Sequence, residues 1–484
     1  MYLGIDLGTS GVKALLLDAG QRVVASASAP LEVSRPHDGW AEQNPADWIE
    51  ATEAAVSALK STHSAALAAV RGIGLSGQMH GATLIDAAGA VLRPAILWND
   101  TRSHAEATAL DADPRFRTVT GNIVFPGFTA PKLAWVRANE PAVFVRVAKV
   151  LLPKDYLRLW LTGDYVSEMS DAAGTAWLDV GRRAWSSELL AATGLDLRHM
   201  PALVEGTEVS GTLRGSIAAR WGMGGGVVVA GGAGDNAASA CGMGAVRAGQ
   251  AFVSLGTSGV LFAANDAYRP NPASAVHTFC HALPGAWHQM GVILSATDSL
   301  NWLCGVTGRT AAELTADLGE ALRPPSGVTF LPYLSGERTP HNDATMRGAF
   351  AGLAHLSDRA ALTQAVLEGV TFAFRDSLEA LREAGTELSR VTAIGGGSRA
   401  RYWLKAIATA LEIPVDLPAE GDFGAAFGAA RLGLVAAERA DPHVICTPPE
   451  TAETIEPDSA LVPAYRDAYR RYRALYPAIK GATS

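Results

Sequence analysis

Cysteine is scarce in this chain of 484 residues: only Cys241, Cys280, Cys304 and Cys446 occur, with no CxxC spacing. That excludes a disulfide framework and fits a reducing compartment. Long apolar runs are missing too. None reaches the ~18 residues that span a membrane, and Asp6 interrupts the N-terminus too early for a secretion signal. A soluble, cytoplasmic protein is the expectation. Charge of one sign is also lacking in quantity: the net charge is −8 and no basic run stands out. Nucleic acid and anionic membrane surfaces are therefore excluded as partners. Neither a GxxxxGK[ST] phosphate loop nor the HRD motif of protein kinases is present, which removes two common ATP-binding folds. The run His277-Thr-Phe-Cys280-His281 has no distant second ligand pair and reads as structural, not as a zinc site.

What is present is globular. Hydrophobic residues make up 48% and charged residues 18%, and the length calls for two or three domains. The hexapeptide Leu7-Gly-Thr-Ser-Gly-Val12 recurs letter for letter as Leu255-Gly-Thr-Ser-Gly-Val260. Each copy lies between two short apolar runs, which points to a duplicated domain. The copies differ at their edge, where Asp6 precedes the first and Ser254 the second.

Strands are predicted over 2–6, 12–18, 22–28, 70–75 and 227–230, with a hairpin over 84–92. A helix is predicted over 45–60, with Asn44 as its N-cap and Pro45 at its first position. After 250 the alternation repeats, with strands at 251–255, 259–263 and 391–394 and helices near 295–304, 358–384 and 400–411. Alternating strands and helices predict an α/β fold. The boundary is placed near Gly242–Gly249, giving domains 1–244 and 245–484 that face each other across a cleft.

Candidate chemistry follows from strand ends. Gly8, Thr9 and Ser10, and in the second copy Gly256 and Thr257, form turns whose backbone N–H groups suit phosphate. Asp6 reads either as a cap on its own turn or as a carboxylate reaching Mg²⁺; the second phosphate turn favours the metal. Asp235 follows the small residues Gly231 to Gly234 and reads as a general base that also starts a helix. Gly395-Gly396-Gly397, a strand-to-helix turn, is a candidate nucleotide site or simple packing. Gln78-Met79-His80-Gly81 and Trp98-Asn-Asp-Thr-Arg102 interleave polar and aromatic groups as sugar sites do, although Trp40 and Trp98 also suit a core. Glu337, in the run Glu-Arg-Thr-Pro-His341, reads as a solvated turn or an interdomain ion pair.

Taken together these segments resemble the FGGY carbohydrate kinases nearly end to end. The resemblance rests on Tyr2–Lys13, Gly39–Pro45, Gly77–Thr83, Leu97–Asp100, Pro126–Lys132, Leu152–Tyr156, Ser170–Thr175, Leu334–His341 and Gly395–Gly397. It implies a pair of ribonuclease-H-like domains of the actin/hexokinase type. It also implies ATP with Mg²⁺ as phosphoryl donor, D-xylulose as acceptor at its C5 hydroxyl, and a possible homodimer. By the same resemblance Asp235 is the base and Asp6 the metal-organising carboxylate. Met79, His80 and Asn236 then face the sugar, beside Trp98 as its strand-end pattern suggests, while Gly256 and Thr257 face the ATP phosphates and Gly396 and Gly397 the adenosine. Acceptors such as ribulose, gluconate, fuculose or glycerol remain open, as does a non-catalytic actin-like sugar sensor.

Overall fold

The computed structural model describes residues 1–419, 421 and 423–483; Ser484, the last residue of the expected second domain, lies outside them. Two seven-stranded sheets organise the chain. The first has the order Val209–Thr212, Val228–Ala230, Gly72–Gly77, Tyr2–Leu7, Gly11–Leu17, Val23–Pro30, with Ala233–Gly234 adding beside Gly72–Gly77. The second runs His277–Cys280, Trp287–Ile293, Gly259–Asn265, Ala251–Leu255, Val391–Ile394, Val415–Pro418, Thr451–Ile455.

Each sheet begins with an antiparallel hairpin across one copy of the repeated hexapeptide. Each then pairs the hairpin's first strand in parallel with a later one, Gly72–Gly77 or Val391–Ile394. The duplicated sequence is thus a duplicated sheet. Residues between Gly77 and Val209 form an insertion on the first sheet, including the helices Thr129–Asn139 and Pro153–Thr162.

Most predicted elements are in place, with adjusted ends. The helix Pro45–Ala68 is capped by Asn44, whose side chain accepts from Ala46 N at 3.3 Å. The long helix Arg359–Glu383 covers the second sheet and is almost wholly buried along its middle. The hairpin expected over 84–92 is present: Leu92 N donates to Leu84 O at 2.9 Å, Asp86 N donates to Ala90 O at 3.0 Å, and an antiparallel bridge joins Ile85 to Val91. Thr83–Ile85 also pairs, on its other edge, with the distant strand Lys149–Leu151. A partner 65 or so residues away cannot be read from alternation alone (roughly the separation of the two strands).

One helix departs from the simple division of the chain into halves. Ala425–Glu438, from the second half, lies on the first sheet because glycines clear its path. A Cβ on Gly4, Gly72 or Gly74 would strike the backbone of this helix at Ala426, Gly433 and Ala429. On its other side Gly428 admits the carbonyl of Ala238, in the helix Asp235–Met243. Among the described residues no helix is long and apolar enough to cross a membrane.

Close approach of backbones makes these glycines intolerant. Gly74→Ala is expected to cost about 1–3 kcal/mol or more, as overpacking does. Gly305→Ala, in an exposed helical position with nothing within 4 Å, is expected to stabilise by up to ~1 kcal/mol. Calorimetric unfolding of the two variants checks the contrast; equal midpoints would refute it.

Candidate active site

The site is assembled by strand ends of the first sheet. Asp6 pairs across to Ser76, and Ser76 to Ala233, so the three stand in one row. Asp235 follows two residues later, at the first position of its helix. The Ser76 hydroxyl donates to Asp6 Oδ1 at 2.8 Å. Asp235 Oδ1 accepts from Asn236 N at 2.7 Å and from Asn236 Nδ2 at 2.9 Å. Burial and then the negative charge of Asp6 push the Asp235 carboxyl up to about 6, although the Asn236 donors pull it down. Two carboxylates therefore share one poorly hydrated corner.

Beneath this corner lies a buried charge cluster. Lys154 Nζ is 3.0 Å from Asp155, 3.4 Å from Glu168 and 3.4 Å from Asp171, all four being fully buried. Burial alone would lower the Lys154 ammonium, but the three carboxylates overcome it and raise it. Glu168 accepts from Ser170 N at 2.7 Å and from the Ser170 hydroxyl at 2.8 Å. The Ser170 oxygen in turn accepts from Gly234 N at 3.0 Å, holding the turn that carries Asp235. Burial raises the Asp171 carboxyl well above the usual range.

Met79 and His80 sit on the neighbouring wall. His80 adopts φ 71°, an uncommon conformation for a residue with a side chain. Its Nδ1 lies 2.7 Å from the carbonyl oxygen of Gly174, which makes Nδ1 the protonated nitrogen and leaves Nε2 as acceptor. Its ring stacks on Phe128 at 4.8 Å. Burial, and secondarily Lys132, lower the His80 imidazole to about 3, so it is neutral. Lys132 Nζ donates to His80 O at 2.8 Å and fixes the backbone there. Gly174 and Gly234 make room: a Cβ on the first would strike the His80 ring, and one on the second would press on Met79 Sδ at 3.0 Å.

The first Gly-Thr turn closes with Gly8 N donating to Gly11 O at 3.0 Å. The Thr9 hydroxyl donates to Gln78 Oε1 at 3.0 Å and accepts from Trp98 Nε1 at 2.9 Å. Gln43 Nε2 donates to Thr9 O at 2.8 Å, and Gln78 Nε2 to Gln43 Oε1 at 2.9 Å. Gln43 and Gln78 thus brace the turn, a role that spacing did not expose although both lie in conspicuous segments. Trp98 is not core; it is 48% exposed. Trp40 is half-buried, with the Arg102 guanidinium 3.5 Å above its ring.

In the second turn the carbonyls are occupied. Gly256 O accepts from Thr297 N at 3.0 Å, and Thr257 O from Ala296 N at 2.8 Å. Gly395–Gly397 comes to the same place: a Cβ on Gly397 would stand 2.9 Å from Leu255 Cβ and 3.0 Å from Thr297 Cγ2. Gly396 faces open space. The structure therefore brings the two second-half turns together, and separately groups Asp6, Asp235, Asn236, Met79 and His80.

Glu337 is a correction. It is 2% exposed, not a solvated turn, and accepts from Leu294 N at 3.4 Å and Arg338 N at 2.7 Å. Burial pushes its carboxyl up to about 8. A polar run that folds back under its own loop looks, by composition alone, like a surface turn. Among the described residues no three His, Cys, Asp or Glu side chains are grouped to hold a metal ion. A Mg²⁺ bound through one or two carboxylates plus phosphate and water needs no such group.

A duplicated sheet with paired Gly-Thr turns and a carboxylate at the adjoining strand end defines a two-lobed phosphotransferase class of the ribonuclease-H-like ATPase fold. Comparison with known proteins narrows it. Residues 1–242 match the N-terminal domain of the FGGY family of carbohydrate kinases and residues 251–437 match its C-terminal domain. The chain belongs to that family and is an ATP-dependent sugar kinase. It is 49% identical over 479 residues to a xylulose kinase of Escherichia coli, covering 98% of each chain. It is 50% identical over 488 residues to a xylulose kinase of Klebsiella pneumoniae, covering 99% of each. The crystal structure of a xyloylose kinase from Brucella ovis is similar with a TM-score of 0.99 at 67% identity, covering 99% of both chains.

Removing one member of the buried cluster strands the rest. Lys154→Met is expected to destabilise the fold by about 3–5 kcal/mol, and adding Glu168→Gln should recover part of that loss. Denaturant unfolding of both variants measures it; a single variant as stable as the parent contradicts the reading.

Proposed function

We propose that the protein phosphorylates D-xylulose at its C5 hydroxyl with ATP, giving D-xylulose 5-phosphate and ADP. The observation that carries this is the Asp235 carboxyl, raised to about 6 beside Asp6 in a chain matching xylulose kinases along its length. In this reading Asp235 takes the proton of the C5 hydroxyl as the new O–P bond forms. The bond from the γ-phosphorus to the β,γ-bridging oxygen breaks, and ADP leaves with the electron pair. A carboxylate is weak as a base, but phosphoryl transfer depends mostly on positioning and charge, so a modestly raised one suffices.

Met79, His80, Asn236 and Trp98 form the sugar side. Gly8, Thr9 and Ser10 meet the transferring phosphate, Gly256 and Thr257 hold the ATP phosphates, and Gly396 and Gly397 border the adenosine. The open face of Gly396 supports the last assignment. Two neighbouring carboxylates, the Asp235 carboxyl raised by the charge of Asp6, suit a divalent cation, and Asp6 is the residue that would hold Mg²⁺. When bound, Mg²⁺ would neutralise phosphate charge. The proposed domains are 1–244 and 245–484, with helix Ala425–Glu438 lying on the partner lobe.

A coupled ADP-release assay over ketoses, aldonates and polyols tests the reading. D-xylulose should give the highest kcat/KM; a better acceptor would reassign the substrate, and no turnover at all would favour a sensor. Turnover should also fall as the pH drops through about 6 or somewhat below, as the base becomes protonated. Asp235→Asn should abolish turnover yet retain sugar binding.

The same variant has a stability signature. A carboxyl raised in the folded state stabilises most below its unfolded value of 3.8, and that contribution is lost as the pH rises through about 6. Asp235→Asn should therefore be more stable than the parent near pH 8, by about 1–3 kcal/mol, with the gain shrinking toward pH 4. Unfolding midpoints at the two pH values measure it, and a pH-independent difference would argue against a strained carboxylate.

A further inference from the structure

Arg338 is a half-buried cation without a direct ion pair, although the charge of Glu337 acts on it. Its guanidinium lies 3.8 Å over the ring of Phe125, and Nη1 donates to His277 Nε2 at 3.4 Å. No ion pair within 4.0 Å joins it to any described carboxylate, a rare state for an arginine outside free solvent. Its neighbour Glu337 turns the other way, toward Leu294 N and the Arg338 backbone. Thr339 zips the same loop to strand Trp287–Ile293: its N donates to Val292 O at 3.1 Å, and its hydroxyl oxygen accepts from Val292 N at 3.0 Å. The loop is thus fixed so that Arg338 leaves the second sheet and meets Phe125 of the first half.

Where it arrives matters. His277 packs on Phe125 at 5.0 Å and on Phe128 at 5.8 Å, and Phe128 carries the His80 ring at 4.8 Å. The Arg338 charge helps to depress both His80 and His277, after burial, whereas the charge acting on Asp235 is that of Asp6. The ring contacts from Phe125 through His277 and Phe128 to His80 therefore put Arg338 on the His80 side of the site. A guanidinium offers five N–H donors in a rigid fork, and only one is used here. Its Nε and Nη2 are not among the fully buried atoms that lack partners, so they keep some accessible surface.

We propose that Arg338 is a substrate-specificity residue that donates to the C2 carbonyl and C1 hydroxyl oxygens of the ketose. This rests on the sugar-kinase reading above, with C5 at Asp235 and the carbonyl end pointing away from it. The second lobe then reads the end of the acceptor that the first lobe does not react. A polyol, with an alcohol in place of the carbonyl, presents a weaker acceptor to the fork and is discriminated against there.

The test is steady-state kinetics of the full-length wild type, Arg338→Met and Arg338→Lys with D-xylulose and xylitol. Arg338→Met should raise KM for D-xylulose about 10- to 100-fold, as loss of hydrogen bonds from a charged donor does, with KM for ATP within about twofold. The preference for D-xylulose over xylitol should narrow in parallel, a change that a merely structural role would not produce. Arg338→Lys, which keeps the charge without the fork, should fall between, and thermal unfolding of each variant reports folding. Unchanged sugar KM and unchanged selectivity in folded variants, or a change confined to ATP, would overturn the assignment. Wild type active on D-xylulose with insensitive variants sinks this inference alone; wild type inactive on every ketose sinks the functional reading as well.

Discussion

The structure depends on how closely the helix Ala425–Glu438 can lie against the first sheet and against the helix Asp235–Met243. Glycines 4, 72, 74 and 428 remove the side chains that would hold these backbones apart. Arg431 then ties the contact together, its Nη1 donating to Cys241 O at 2.9 Å, Gly242 O at 3.0 Å and Thr447 O at 2.9 Å. An element from the second half thereby becomes a layer of the first. Asp235 opens one of the two helices in this contact, so the position of the proposed base is set by packing between the halves.

A second constraint is electrostatic. The Lys154 cluster and the Ser170 link to Gly234 form a rigid floor, and the floor is charged but nearly dry. Such a floor gives little net stability, because desolvation offsets attraction, but it allows few alternative positions for the turn above it. The Asp235 carboxyl, raised by burial and by Asp6, is held where an exposed carboxylate would relax into water.

Much of the architecture was legible along the chain. The repeated hexapeptide marked the two hairpins, Asn44-Pro45 marked a helix start, and Asp6 could be picked out because it ends an apolar run and Asp235 because it follows the small residues Gly231 to Gly234. The residues missed are those whose partners are remote. Gln43 and Gln78 brace Thr9 through side-chain amides from separate segments, and Thr83–Ile85 finds its strand partner at Lys149–Leu151. Glu337 looked solvated because a polar run carries no sign of the loop that buries it.

By itself the sequence determined the local grammar: which runs become strands, where turns expose backbone amides, and that one turn carries an acid while its duplicate carries a serine. Those are properties of neighbours a few residues apart, set by period, sterics and capping. Tertiary structure alone decided which turns share a wall, that Trp98 is exposed while Glu337 is buried, and that Arg338 crosses to Phe125. Burial, and the pKa shifts that follow from it, depend on what the rest of the chain brings within a few ångströms, and no local pattern encodes that distance.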